Sequence, residues 1–156
     1  MGERVQVSMF LSWCHSDADA KQALLGQLHL DGLAGVRAEW WEDSHLQIGE
    51  DWRRQTLDQL AKCDYGLLLL SPGFFASRFI LDVELPRLLG PDVDKVLPVM
   101  LKRVPIDGSW DLHGVDTRHI FTSKGRCFTE TRGPSRERFA LDLATEIRRR
   151  VLSDAA

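Results

Sequence analysis

The run YGLLLL at 65–70 constrains the fold of this chain more than any other stretch. Six consecutive positions without a charged residue leave no polar face to turn toward water, as in a central strand covered on both sides. Such a strand belongs to a parallel sheet, and parallel neighbours need right-handed crossover connections. The rest of the chain supplies them. VQVSMFLS (5–12) reads as a first strand with Val5, Val7, Met9 and Leu11 on one face. The segment 16–28 reads as a helix with Ser16 at its cap and Asp17 and Asp19 in its first turn. VRAEWW (36–41) is a second strand, 42–51 a polar loop, and 52–63 a helix carrying Leu57, Leu60 and Ala61 at helical spacing. A helix containing Glu84 follows the central strand, with Pro86 expected to kink it or to mark where its regular part begins. KVLPVML (95–101) is a fourth strand, GRCFTE (125–130) a weakly patterned fifth, and 102–125 between them is irregular. The segment 135–152 closes the chain as a helix with the stripe Phe139, Leu143, Ile147 and Val151. This alternation predicts one α/β domain over 1–156: a three-layer sandwich with a central, mainly parallel, five-stranded sheet. Ligands bind such sheets at the carboxyl ends of the strands, an edge that collects Ser12, Trp13, Trp41, Asp43 and Ser71.

A chain of 156 residues is long enough for a real core, and 44% hydrophobic with 28% charged residues is an ordinary globular balance. The net charge of −3 gives no drive toward nucleic acid or an anionic membrane. No apolar run is long enough to span a bilayer, and MGERVQVS lacks a signal-peptide core. Three widely spaced cysteines suggest neither a zinc site nor a disulfide framework, so the expected location is a reducing cytoplasm.

Common catalytic signatures are absent. The sequence has no Walker loop, GxGxxG, HExxH or GxSxG, and the histidines at 15, 29, 45, 113 and 119 read as scattered surface residues, so no metal is expected. Ser71 stands at the end of the third strand, where a phospho-acceptor receiver domain needs an aspartate. One carboxylate stands out. In a helix over 75–85, Glu84 falls on the arc of Ile80 and Leu88 and points into the protein, while Asp82 points to water. A carboxylate so placed is costly unless paired or used. An ion pair with Arg53 or Arg54 and a role in a site are both open on this pattern.

Four stretches, in order, resemble one family. MFLSWCHSDAD (9–19) is similar to the first conserved box of TIR (Toll/interleukin-1 receptor) domains, and WWEDSHLQIGEDW (40–52) to the exit of the second strand and the BB loop. DYGLLLLSPGFFASRFILDVEL (64–85) resembles the third strand and the next helix of bacterial members, and KVLPVMLKRVP (95–105) the fourth strand. The resemblance implies a flavodoxin-like fold. It also implies one of two roles: cleavage of NAD⁺ at the nicotinamide–ribose bond, as in bacterial immune effectors acting against phage, or non-enzymatic scaffolding through TIR–TIR contacts. Glu84 occupies the position of the family's catalytic glutamate. Phe79 and Ile80 replace the Trp-Cys of receptor-type members, and the acid lies one residue further along.

NAD⁺ would be substrate rather than cofactor, and its cationic nicotinamide leaves without protonation, so a single carboxylate suffices where ordinary glycosidases need two. The product would be ADP-ribose or a cyclic isomer, and a transferase reaction would use the same site. Around Glu84 the substrate would meet Ser12, Trp13, Trp41, Asp43, Ser71 and Phe79, with Trp52 assigned to packing. Ile48, Gly49 and Glu50 belong to the loop through which TIR domains assemble. Expected partners are other TIR domains and a sensor domain or subunit outside this chain.

Overall fold

The computed structural model describes residues 3–42 and 46–156. Its elements are β1 (Val5–Ser12), α1 (Ala18–Leu25), β2 (Val36–Trp41), α2 (Trp52–Lys62), β3 (Tyr65–Leu70), α3 (Pro72–Ala76), α4 (Leu85–Leu88), the two-residue strands β4 (Leu89–Gly90) and β5 (Val93–Asp94), β6 (Val96–Met100) and α5 (Pro134–Ala155). The main sheet has the order β2-β1-β3-β6, every pair parallel, with β1 and β3 at its centre. β4 and β5 form a separate antiparallel ladder.

The period-two alternation of the strands sorts side chains onto two cores. Val7, Met9, Leu11, Leu67 and Leu69 face α1 and the stripe Phe139, Leu143, Ile147 and Val151 of α5. Phe10, Leu68 and Leu70 face the other way, toward Leu60 of α2, Phe74 of α3 and Ile80, Leu85 and Leu88. All six residues of β3 are buried, as the apolar run demands. Leu88 packs so closely on β3 that a Cβ at Gly66 would lie 2.5 Å from its Cδ1.

Three details differ from expectation. Among the described residues the main sheet has four strands, not five. Only Phe121 bridges to Val99, donating its N–H to the Pro98 carbonyl and accepting from Met100 N. Pro98 has no N–H for the preceding rung, so the outer ladder stops after one residue. The chain turns instead at Lys124 (φ 52°) and Gly125 (φ 76°), and GRCFTE coils into a 3₁₀ turn at Phe128–Glu130. The first helix opens with a 3₁₀ turn, His15–Asp17, capped at Cys14 rather than Ser16. In α2, Ala61 is exposed, and Thr56 joins Leu60 as its buried residues.

Candidate active site

The loops at the carboxyl edge of the sheet enclose a cleft of about 590 Å³, within the range of small-molecule sites. One wall comes from the chain after β3. Ser71 caps α3, its Oγ accepting from Phe74 N at 2.9 Å. The helix breaks at Ser77, whose Oγ accepts from Ile80 N at 3.4 Å as helical structure resumes through 78–88. Within it Ile80–Glu84 forms a π-helical turn, closed by Leu85 N donating to Ile80 O. Pro86 explains the widened turn, since it cannot donate to the carbonyl of Asp82 and its ring would crowd that oxygen in a regular α-helix. The guanidinium of Arg87 donates to the Val83 carbonyl at 2.9 Å.

The π turn leaves Glu84 buried beside Ile80 and Asp82 exposed. Glu84 is 9% exposed and lines the cleft. Its Oε1 accepts from Ser12 Oγ at 2.7 Å, a bond between the end of β1 and the π turn that offsets part of the cost of burying the carboxylate. Arg53 and Arg54 are both exposed, and among the described residues no ion pair joins either to Glu84.

Aromatic rings line the same cleft. Trp41 stacks on Phe10 with centroids 5.5 Å apart, and Trp52 meets Phe79 at 5.4 Å and 58°. Trp13, Trp41, Trp52 and Phe79 all line the cleft. Trp52, expected to pack, is instead 53% exposed at the cleft wall. Its position directly after the polar loop was a readable signal, because the residue that opens a helix lies at the mouth of the preceding connection.

The expected site residues separate into groups. Ser12 touches Glu84, while Trp13, Trp41 and Phe79 reach the cleft as wall residues. Ser71 does not line it. Its hydroxyl is fully buried and donates to the Asp17 carboxylate, whose other oxygen is 2.8 Å from Lys102 Nζ. Gly73 lines the cleft two residues further on, against Cys14 and Ser16. Ile48, Gly49 and Glu50 lie on the exposed loop outside the cleft lining, with Gly49 at φ 92° and the Glu50 carboxylate accepting from Gln47 N at 2.8 Å. Asp43 and His45 lie outside the described residues. Sequence reasoning missed the buried pair Lys21–Glu42, whose Nζ and Oε1 are 2.7 Å apart behind Trp13. The readable signal was a lysine three residues before Leu24 on the inward stripe of α1.

Two comparisons bear on this geometry. Over 80 residues the chain is 36% identical to y4lF, an uncharacterized protein of Sinorhizobium fredii, a match covering 51% of this chain and 24% of that protein. The family model of the TIR domain matches residues 9–129, which hold the cleft, its glutamate and all four strands but the first half of β1. With that match over most of its length, the chain belongs to the TIR domain family.

Proposed function

We propose that this domain is an NAD⁺ glycohydrolase with Glu84 as its catalytic residue. The observation that carries the reading is a buried carboxylate, held by Ser12 in an aromatic-walled cleft large enough for a nucleotide portion of the substrate. As the bond between the nicotinamide nitrogen and the ribose anomeric carbon breaks, its electron pair neutralises the ring nitrogen. The ribose is left as an oxocarbenium-like cation. A fixed anion stabilises that charge with no reorganisation at the moment of reaction. Water then adds to the anomeric carbon and loses a proton, giving ADP-ribose. Electron-rich faces at Trp41, Trp52 and Phe79 suit the cationic nicotinamide.

Assembly with other copies of the domain is the control we infer. Ile48 is fully exposed at the tip of the loop after β2, at one edge of the sheet, and Glu50 and Asp51 follow it. Beside β6, at the opposite edge, lies a cavity of about 340 Å³ lined by Val99, Phe121, Leu143 and Ile147, with Arg118 and Arg149 beside it paired to Asp94 and Glu146. An exposed apolar knob at one edge and an apolar-lined cavity at the other suit a head-to-tail contact, which propagates into an open chain of subunits when its rotation does not close into a ring. The role in anti-phage immunity, with a sensor in another domain or subunit, rests on the resemblance to bacterial TIR domains alone.

The test is to incubate concentrated protein with NAD⁺ and separate the products. Nicotinamide release that disappears in Glu84→Gln is expected. No release under conditions that force self-association would turn the reading to a scaffold that binds other TIR domains without chemistry.

A further inference from the structure

Lys21 is 1% exposed, the most deeply buried charged side chain among the described residues. It lies on α1 in line with the fully buried Leu24, where an apolar residue would ordinarily stand. Its ammonium makes two contacts. Nζ is 2.7 Å from Glu42 Oε1 and 4.4 Å from the centroid of the Trp13 ring. Glu42 is itself only 6% exposed and is the first residue after β2, at the root of the loop that carries Ile48 and Gly49. Trp13 is a wall of the cleft that holds Glu84. One buried cation thus touches both the root of the exposed loop and the wall of the site.

Stability alone does not explain the pair. Desolvating two charges commonly offsets their mutual attraction, and apolar residues of similar volume serve a core as well or better. An ion pair does provide direction. The carboxylate fixes where the ammonium sits, and the ammonium prefers the ring face over the ring edge.

We propose that Lys21 is a positioning residue that couples the loop after β2 to the substrate cleft. Glu42 holds the ammonium, the ammonium holds the Trp13 ring, and a displacement of the loop root is passed to the cleft wall. This gives assembly through the loop a physical route to the site, by way of an element with two specific contacts. The coupling itself does not depend on the chemistry proposed for Glu84; only its effect on catalysis rests on the NAD⁺-cleavage reading.

The test is fluorine NMR of the full chain labelled with fluorotryptophan. The sequence has five tryptophans, and the Trp13 resonance is the one lost in Trp13→Phe. Gly49→Val displaces the loop, since Gly49 holds φ 92° in the left-handed region that a β-branched residue avoids. In the wild-type background this change should shift the Trp13 resonance. In Lys21→Met combined with Glu42→Leu, which strands neither charge, the shift should vanish, and in Lys21→Arg it should persist. Should the double variant lose its dispersed spectrum, Lys21→Met combined with Glu42→Gln provides the same comparison, again with both charges removed. A Trp13 shift of equal size with and without the ion pair, or no shift in either background, overturns the coupling. In the kinetic arm, the double variant should raise KM for NAD⁺ about threefold or more, the scale of an ordering cation–π contact, with kcat little changed. Unchanged KM in a folded double variant also counts against the proposal. Absence of NAD⁺ cleavage by the wild type would sink the activity reading alone, and the resonance comparison would still decide the coupling.

Discussion

At the scale of single residues, Glu84 carries two separable consequences. Glu84→Gln keeps the side chain's size and its capacity to accept from Ser12, but removes the charge opposed to the oxocarbenium ion. Loss of such an electrostatic group costs about a hundredfold or more in rate. The melting temperature should hold or rise, because a buried charge is gone and functional sites are commonly strained. A buried pair with an arginine would instead make the same change destabilising by about 3 kcal/mol or more. A thermal melt with an NAD⁺ assay distinguishes these outcomes, and a variant that melts far earlier, or cleaves at the wild-type rate, removes Glu84 from the chemistry. Tyr65 gives an independent check. It is the only tyrosine in the sequence, and burial, reinforced by the hydrogen bond its hydroxyl donates to Asp154, pushes its pKa from the ordinary 10 up to about 12. With the folded pKa above the unfolded one, this contribution to stability is fully present below pH 10 and lost as pH rises toward 12. The near-ultraviolet absorbance of tyrosinate in the native protein should therefore rise with a midpoint well above that of free tyrosine. A midpoint at the ordinary value would show that the contact between β3 and the end of α5 is open in solution.

At the scale of elements, the segment 78–88 decides where the carboxylate goes, and its seat is the contact between Leu88 and the bare backbone of Gly66. A methyl group at Gly66 would lie 2.5 Å from Leu88 Cδ1, closer than real contacts allow. Gly66→Ala must displace the side chain of Leu88, which the helix bearing Glu84 packs onto β3. Overpacking of this kind costs about 1–3 kcal/mol, and a lower denaturation midpoint with an unchanged m-value is the expected measurement. Leu88→Val in the same chain should recover part of the loss; a Gly66→Ala protein as stable as the parent would mean that the helix is not seated on β3 as described. The same segment shows how far an angular argument reaches. A regular helix puts Glu84 inward and Asp82 outward, and so does the structure, but through a π turn that Pro86 imposes. Pro98 has the opposite effect on legibility: hydropathy alone suggests a fifth strand near 125–130, yet the chain meets the outer edge of β6 at Phe121, and the missing N–H at position 98 removes the rung before it.

At the scale of the whole molecule, the assembly reading predicts activity that rises faster than linearly with protein concentration. Gly49→Val should weaken self-association, followed by light scattering, together with that rise, and leave the melt of the sheet in place. Specific activity that stays flat across a wide dilution series of a proven monomer would exclude control by assembly. The layers of this protein were determined by sequence alone, because strand burial follows local hydropathy: β3 is legible in six letters, and the stripe of α5 in the spacing of Phe139, Leu143, Ile147 and Val151. The inward direction of Glu84 was legible for the same reason. What only the tertiary structure decided is which side chains share the cleft and which are otherwise engaged. Ser71 stands at a strand end like Ser12, yet its hydroxyl is taken by Asp17, while that of Ser12 meets Glu84 from 72 positions away. Trp52 faces the cleft and Lys21 is buried against Glu42 because of where α1, α2 and β2 come together. Such contacts join residues far apart in the chain, and no local period records them.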